Sequence, residues 1–302
     1  MKTGLPKGYQ SPTGLPPEEQ REQWQRENRA WWEANPMRYD WNEALGASEF
    51  TRAFYDEIDR RFFEDASRYL PARVRPFDQL VPFDRLPEWD VLEIGVGNGS
   101  HAQLLAPHCR SYTGIDLTDY AVKSTASRFE MLSLRGRILR MDAEQMTLPD
   151  ASFDFIWTWG VIHHSADTGR VLREMHRVLR PGGTATIMVY HRSWLYTYVY
   201  TGLLRGVLQA GLLRHNLHEL LQLNTDGAIA RFYRADEWVA LVERCGFAVD
   251  QLRIMGQKSE VVLLPAGRLK NALMRVIPDP LSRLVTNRLR QGSFLVTRLR
   301  KP

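Results

Sequence analysis

The chain has 302 residues and a net charge of +5, and its 44% hydrophobic and 25% charged residues are typical of a globular protein with one full core. It has no run of eighteen apolar residues and no apolar block in its first twenty, so we expect neither a membrane span nor a secretory signal and place the protein in the cytoplasm. Its two cysteines, Cys109 and Cys245, lack a disulfide framework and the spacing of metal ligands, so we predict no metal site.

The N-terminal part of the chain precedes the first strand pattern. Residues 1–18 are rich in Pro and Gly and predict a flexible arm, and residues 19–88 contain two predicted helices, over 19–33 and 48–67. An aromatic segment with Trp31, Trp32, Tyr39 and Trp41 runs from the end of the first helix toward the second. Two interpretations are open: a hydrophobic strap that docks the N-terminus on the core, or a lid over a ligand pocket.

The sequence from Val91 to Gly99, VLEIGVGNG, is the most informative in the chain. Its apolar residues predict a buried parallel strand, and glycines at 95, 97 and 99 allow the following turn to pass close to a ligand. Asp116 ends the next strand about twenty residues later, where a carboxylate can bind both hydroxyls of an adenosine ribose. An ordinary tight turn remains the alternative for the glycines alone.

Two details of this turn distinguish between nucleotide cofactors. A dinucleotide fingerprint requires its third glycine one residue later, where the chain has Ser100. Glu93 would repel a pyrophosphate, but it suits a ligand that carries an ammonium or sulfonium group. The turn therefore favours S-adenosylmethionine over a nicotinamide cofactor.

The rest of the central region alternates predicted strands with predicted helices. The strands are expected near 91–95, 112–116, 136–141, 153–158 and 184–190, and the helices near 100–107, 119–132 and 168–179. This alternation predicts a parallel sheet with helices on both faces and ligands at the carboxyl ends of the strands.

The C-terminal third departs from this pattern. Residues 193–235 are rich in aromatic residues and Leu and predict an inserted helical cap, and residues 236–302 add a helix over 235–245 and strands near 247–255 and 293–299. The stretch 265–290 between these strands predicts a helical insertion. Residues 268–301 carry nine basic residues and the single acid Asp279, which indicates peripheral contact with a membrane, a phosphorylated substrate or a polyanion, or else a solvated helix face.

Several motifs occur together in the expected order between about Asp90 and Tyr190. Besides Glu93-x-Gly-x-Gly-x-Gly99 and Asp116, they are Met141-Asp-Ala143, Leu148 to Phe155 (LPDASFDF), Gly160-Val-Ile-His-His164 and Arg177 to Gly183 (RVLRPGG). In these motifs the chain resembles small-molecule class I S-adenosylmethionine-dependent methyltransferases of the type 11 kind. The resemblance implies a doubly wound α/β fold: a seven-stranded Rossmann-like sheet, mostly parallel, with an antiparallel last strand. Residues 89–192 would be its cofactor-binding core, and the last two strands an antiparallel pair.

The resemblance also implies where S-adenosylmethionine, and its product S-adenosylhomocysteine, would bind. Glycines 95, 97 and 99 would flank the methionine end, and Glu93 would order its ammonium group. Asp142 would accept from the adenine amine, unless it only caps the following turn. The implied cofactor residues are Glu93, Gly95, Gly97, Gly99, Asp116 for the ribose, Leu117 and Ala143 for the adenine, Asp142, Trp159 and Gly160.

Residues for the acceptor and for proton transfer are predicted from their positions. His163 and His164 follow the fourth strand and are candidate bases together with Tyr39, although the histidine pair would equally cap the loop. The predicted acceptor residues are Trp32, Tyr39, Trp41, Tyr190, His191 and Arg231. For Arg231, with Asp226 and Tyr233, a surface network explains the residue types equally well.

The sequence thus favours a methyltransferase (EC 2.1.1.-) that acts on a small-molecule or lipid-like acceptor such as a secondary metabolite or isoprenoid. An RNA-modifying methyltransferase is the alternative from the basic tail, but no RNA-binding module is visible, so nucleic acid is not the expected partner. A non-catalytic cofactor-binding scaffold is a further alternative, because a fold does not prove an activity. A nicotinamide dehydrogenase is disfavoured by the missing glycine and by the lack of a Tyr-x-x-x-Lys pair. The sequence gives no oligomeric state.

Overall fold

The computed structural model describes residues 5, 9, 11–40, 44–264 and 267–302. Its centre is one mixed sheet in the order β3-β2-β1-β4-β5-β8-β7, with the short strand β6 beside the end of β5. The strands are β1 (Asp90–Ile94), β2 (Ser111–Asp116), β3 (Arg137–Arg140), β4 (Phe153–Trp159), β5 (Leu179–His191), β6 (Phe232–Tyr233), β7 (Ala248–Met255) and β8 (Phe294–Arg300).

The described helices lie before, between and after these strands. The α-helices are α1 (Arg21–Ala34), α2 (Arg52–Tyr69), α3 (Ala102–Leu105), α4 (Asp119–Met131), α5 (Thr168–Val178), α6 (Leu217–Leu223), α7 (Ala235–Arg244), α8 (Arg268–Val276) and α9 (Asp279–Arg283). Two π-helical segments span Leu195–Leu208, called the cap helix below, and Leu284–Arg288. Short 3-10 turns include Ile162–His164 and Lys258–Glu260.

The sheet confirms the predicted fold class. Strands β1 to β5 pair in parallel, and β8 is antiparallel to both β5 and β7. The two-residue strand β6 was not predicted, because two residues are too few to show a strand pattern in the sequence. Phe232 and Tyr233 pair with Tyr190 and His191 at the end of β5. Since β1, β2, β4 and β5 all end at one edge, their carboxyl ends form a common floor for a ligand.

Alternation along the strands divides the core into two layers. Leu92 and Ile156 pack with α5 and α7 on one face, whereas Val91, Phe155 and Trp157 pack on the other face with α2 and α3. α2 begins at its N-cap Thr51, whose hydroxyl accepts from the Phe54 amide. The same helix buries Phe54, Ile58, Phe62, Ala66 and Tyr69, a stripe with helical spacing.

The predicted element positions hold with shifts at their ends. β5 begins at Leu179 rather than near 184, because Leu179 already pairs with Phe153 of β4 before the irregular Arg-Pro-Gly-Gly segment, and regular pairing resumes at Thr184. The helix predicted over 100–107 is shortened to α3 and continues as a 3-10 turn over Ala106–His108, where Pro107 lies. The division of the chain into arm, lid, core, cap and C-terminal part stays a prediction.

The described part of the arm packs on the body of the protein. The Pro12 carbonyl accepts from the Phe232 amide, and the Gly14 carbonyl accepts from Arg231. Trp24 of α1 lies 2% exposed against Ala166 and Ile229. Within the described residues, no helix is both long and apolar enough to cross a membrane.

Candidate active site

A cavity of about 590 Å³ opens at the carboxyl ends of the parallel strands. Its size falls in the range of small-molecule and cofactor sites. Eight of the ten predicted cofactor residues line it, namely Gly95, Gly97, Asp116, Leu117, Asp142, Ala143, Trp159 and Gly160. The two others, Glu93 and Gly99, do not reach its wall.

Asp116 is held in place by groups of the neighbouring turns. Its Oδ2 accepts from the Gly97 amide at 3.2 Å, and its Oδ1 accepts from the Thr118 amide at 3.0 Å and the Thr118 hydroxyl at 2.9 Å. Burial raises the pKa of the Asp116 carboxyl, and the bonds from Thr118 and Gly97 oppose this rise. The carboxylate is therefore pre-oriented at the cavity wall, as binding of a ribose diol requires.

Two positions of the turn require glycine for different structural reasons. Gly97 has φ +53°, and a Cβ built there meets no atom within 4 Å, because it would project into the cavity. Gly99 has φ +78°, and its Cβ would lie 3.1 Å from Cδ of Arg128 on α4. Gly99 thus permits close helix packing and does not line the cavity, and its predicted place at the methionine end stays a prediction.

Helix α1 lies over the adenosine end of the cavity. The Gln25 side-chain amide donates to Asp142 Oδ1 at 2.9 Å, and the Glu33 carboxylate accepts from the Asp119 and Tyr120 amides at the start of α4. Asp142 Oδ1 also accepts from the Glu144 amide at 2.8 Å, the turn-capping contact that was the alternative role of this residue. Asp142 thus caps its turn and lines the cavity as well.

The aromatic segment takes part in the cavity wall. Trp32 lines the cavity, and its ring lies edge-on to His164 with centroids 4.9 Å apart. Tyr39 lines it as well, and its ring stacks on that of Phe62 with centroids 5.3 Å apart. The backbone of Tyr39 has φ +57°, a conformation that residues other than glycine rarely adopt. The prediction for Trp41 concerns a residue outside those that the structure describes.

The end of the cavity beyond Trp159 is lined by tyrosines and carboxylates. The Tyr190 hydroxyl donates to Asp226 Oδ1 at 2.8 Å, and Tyr196, Tyr200 and Phe294 complete this apolar part of the wall. Glu260 also lines the cavity and accepts from the Ser293 hydroxyl at 2.7 Å and the Ser293 amide at 2.8 Å. Burial raises the pKa of Glu260 to about 7.

The histidine pair divides between cavity and core. His164 lines the cavity, and its Nδ1 lies 2.6 Å from the Ile229 carbonyl, which places the proton of the neutral ring on Nδ1 and leaves Nε2 as the basic nitrogen. His163 is fully buried beside Tyr190, with ring centroids 4.0 Å apart, and it does not line the cavity. Burial lowers the pKa of His163 well below its usual value, and its ring has no exposed surface at the cavity from which to reach an acceptor.

Two predicted acceptor residues also lie away from the cavity. Arg231 is 1% exposed, and its guanidinium donates to the carbonyls of Ser165 and Ala166, which fixes the loop after β4. His191 Nδ1 lies 2.8 Å from the Gly292 carbonyl, at the junction with β8. Neither residue lines the cavity, because the adjacent side chains of Tyr190 and Phe232 face it and alternation along extended chain points His191 and Arg231 the other way.

Comparison with known proteins gives a second line of support for the predicted cofactor site. Residues 92–187, which hold the glycine turn, Asp116, Asp142 and the histidine pair, match the family described as "Methyltransferase domain". These residues belong to the class I S-adenosylmethionine-dependent methyltransferases. The cofactor of this methyltransferase domain is S-adenosylmethionine, and the open cradle above Gly97 and the oriented Asp116 carboxylate fit it.

Curated relatives match the methyltransferase domain only over part of their length. The chain is 31% identical over 144 residues to 27-O-demethylrifamycin SV methyltransferase of Amycolatopsis mediterranei, a match that covers 47% of this chain and 51% of that protein. It is 38% identical over 95 residues to the phthiotriol/phenolphthiotriol dimycocerosates methyltransferase of Mycobacterium tuberculosis, covering 31% and 34%. The chain thus spans about half or less of the length of these relatives.

Solved structures share the fold of the methyltransferase domain. One is a chain of the Haloferax volcanii complex between the Trm112 methyltransferase activator and a proposed methyltransferase, with a TM-score of 0.54 and 16% identity over 82% of this chain and 94% of that chain. Another is a proposed methyltransferase of Bacillus halodurans, with a TM-score of 0.51 and 17% identity over 75% and 98%. At such identities the likeness concerns the fold alone.

Sequence reasoning missed several residues of the methyltransferase cavity. Asp65, Glu260 and Lys270 line it from α2, from the 3-10 turn after β7 and from α8. They lie outside the motifs of the domain, and only the tertiary structure brings their segments together. The density of tyrosines over 196–200 was the one local signal for this end of the cavity.

The burial of Glu93 allows its predicted role, to order the ammonium group of the cofactor, to be tested. The Tyr112 hydroxyl donates to Glu93 Oε2 at 2.6 Å behind the glycine turn, and burial raises the pKa of Glu93 to about 8. Because the folded-state pKa exceeds the unfolded value, the folded protein binds the extra proton and loses stability as pH rises from about 5 to about 8. We expect Glu93→Gln to remove this loss. Measured by urea unfolding, the free energy of unfolding of the variant should rise by roughly 2–4 kcal/mol relative to that of the native protein as the pH is raised from 5.5 to 8.5.

The exposed Glu88 supplies the control for this experiment, since Glu88→Gln should leave the pH dependence of unfolding as it is. Titration of Glu93→Gln with S-adenosylhomocysteine addresses the cofactor role. A Kd within about threefold of the native value is expected from a side chain that does not reach the cavity wall, a change far below one charged hydrogen bond. A much larger loss would show that Glu93 does order the ammonium group.

Proposed function

We propose that this protein transfers a methyl group from S-adenosylmethionine to a largely apolar, hydroxylated small molecule or lipid-like acceptor. The observation that carries the proposal is the continuity of one cavity from Asp116 and Asp142 to the tyrosine-lined end at Tyr190 and Tyr196. A cofactor and an acceptor can lie end to end in such a cavity. Apolar walls with a few polar groups are typical of enclosed small-molecule sites.

The relatives support this acceptor class. One is named for 27-O-demethylrifamycin SV, a name that places the missing methyl group on an oxygen, and the other for phthiotriol and phenolphthiotriol dimycocerosates. The tyrosine-lined end of the cavity suits such acceptors, because its aromatic rings lie beside a few polar groups, among them the Tyr190 hydroxyl and the Asp226 carboxylate. We therefore favour an acceptor hydroxyl over a charged group as the methylated site.

The residues of the chain contribute mainly by positioning. When bound, the cofactor supplies a methyl group activated by a sulfonium, so that the acceptor oxygen must lie in line with it at roughly 3 Å. Trp32, Tyr39 and Trp159 close the cavity around this region and exclude water. His164 lies in the same wall, and its Nε2 is the candidate to take the proton from the acceptor hydroxyl.

The first experiment is a calorimetric titration with S-adenosylhomocysteine, with NADH as the control ligand. Micromolar binding of the first alone is expected. Transfer of a labelled methyl group to a panel of hydroxylated apolar metabolites then tests the activity itself. Binding without transfer to any member of the panel would favour the scaffold hypothesis, and transfer to RNA would favour the RNA-modifying alternative.

The role of His164 is tested in the same assay. We expect His164→Gln to lower kcat by about 10²–10⁴-fold, the range of a lost general base, while the Kd for S-adenosylhomocysteine changes little. His215→Gln is the matched control, since His215 is a half-buried histidine outside the cavity lining whose ring lies 3.4 Å from Glu219. Unchanged turnover in His164→Gln would remove His164 from the mechanism and leave positioning alone.

A further inference from the structure

Exposed apolar side chains are concentrated in two segments of the described chain. Of the sixteen large hydrophobic residues that are exposed there, thirteen lie within 194–213 or 269–289. The first segment contains the cap helix with Trp194 and Val207, which are 61% and 60% exposed, and the second contains α8 with Val276, which is 79% exposed. Such a concentration marks an interaction surface rather than the scattered exposure of a typical monomer.

Both segments border the same opening of the cavity. Tyr200 and Arg205 of the cap helix and Lys270 of α8 line the cavity, and Lys270 Nζ lies 6.0 Å from the centre of the Tyr200 ring. Seven of the thirteen exposed apolar residues therefore lie on the two helices whose other residues line the tyrosine-lined end of the cavity. This is the end to which the proposed acceptor binds.

Helix α8 has the pattern of a helix at a lipid interface. Leu269, Leu273 and Val276 follow one another at spacings of four and three residues, so they form one stripe, and all three are exposed. Arg268 and Arg275 are exposed beside this stripe. An apolar stripe with basic neighbours is typical of helices that lie in the plane of a membrane surface.

The charge of this surface identifies its partner. Residues 268–290 carry six basic residues and one acid, Asp279, which is paired with Lys258 at 2.8 Å, and residues 194–213 carry Arg205 and no acid. Anionic lipid headgroups complement such a surface. A second copy of the chain would instead bring two basic surfaces together, which like charges oppose.

We propose that the cap helix and α8 dock on an anionic lipid bilayer, so that the tyrosine-lined end of the cavity opens toward the membrane. The apolar stripe of α8 and the exposed face around Trp194 enter the interface, and the arginines contact lipid phosphates. An acceptor dissolved in the bilayer then reaches the cavity without crossing water. This last step rests on the proposed function, whereas docking itself does not.

The test is sedimentation of the full chain with vesicles, one set of phosphatidylcholine alone and one set with a third of phosphatidylglycerol. We expect binding to the anionic vesicles at least tenfold tighter than to the neutral ones, and weaker binding as salt is raised. Arg268→Glu/Arg275→Glu and Leu269→Glu/Leu273→Glu should each weaken binding at least tenfold. Val74→Glu, at a residue 85% exposed and away from both segments, is the matched control and should bind like the native chain.

Each outcome decides the proposal. Equal binding of all variants, or none by the native chain, overturns it, and so does a dimer in analytical ultracentrifugation that the α8 variants dissociate. Titration of the same samples with S-adenosylhomocysteine separates this result from the proposed function. Retained cofactor binding with lost vesicle binding shows that docking fails alone, and vesicle binding without cofactor binding overturns the proposed function but not docking.

Discussion

Replacement of Asp116 by alanine is expected to weaken binding of S-adenosylhomocysteine at least a hundredfold. Both carboxylate oxygens are held by Gly97 and Thr118 at the cavity wall, so they are already oriented for two ribose hydroxyls. Each charge-assisted hydrogen bond contributes about 1.5–3 kcal/mol, and the loss of two accounts for a hundredfold or more. Isothermal titration calorimetry measures the effect.

Two companion variants make the Asp116 result specific. Asp116→Asn keeps the shape and one acceptor oxygen, so its loss should lie between the native protein and Asp116→Ala. Asp84→Ala removes an exposed carboxylate outside the cavity and should leave the Kd as it is. Native affinity in a folded Asp116→Ala protein, with folding checked by circular dichroism, would refute the ribose assignment.

The second large effect concerns stability. Arg128 of α4 is fully buried, and its Nη1 donates to both oxygens of Asp59 on α2, at 3.0 and 2.9 Å. Asp59 also accepts from the Ser100 hydroxyl at 2.6 Å, next to the glycine turn. We expect Arg128→Met to cost about 3–5 kcal/mol in urea unfolding, because the variant leaves the Asp59 charge in place without its buried partner.

Two further variants test this explanation. Arg128→Met/Asp59→Leu should recover much of the lost stability, since an apolar pair of similar volume avoids the unpaired charge. Arg52→Met breaks an ion pair to Asp56 in which both side chains are more than 60% exposed, and it should cost less than about 1 kcal/mol. If Arg128→Met were no worse than Arg52→Met, the buried pair would not be what joins α2 to the cofactor turn.

The sequence was most informative where the chain makes its own local structure. The strand that contains Glu93, the turn at Gly97 and the carboxylate at Asp116 follow from short patterns, because parallel strands and close ligand approach each restrict the residue types. These patterns were sufficient to predict a mostly parallel, doubly wound sheet, and eight of the ten predicted cofactor residues lie at the cavity. The roles of these residues stay predictions until binding is measured.

The residues that differ from prediction depend on contacts between distant segments. In the 3-10 turn Ile162–His164, adjacent side chains point in directions about a third of a turn apart, so His164 meets the cavity and His163 meets the core. Arg231 has the charge of a ligand-binding residue, but its partners are the carbonyls of Ser165 and Ala166, which lie 65 or 66 positions earlier in the chain. No pattern in a single sequence shows such a partner.

The position of α1 has a kinetic consequence. Gln25, Arg29 and Glu33 hold this helix across the adenosine end through polar contacts with Asp142, Asp119 and the start of α4, and Arg29 and Asp119 are partly open to solvent. Trp24 of the same helix is buried against Ala166 and Ile229, so displacement of α1 would expose this ring as well as break the polar contacts. We therefore expect displacement of α1 to limit the rate at which a ligand at the Asp116 and Asp142 end of the cavity exchanges with solvent.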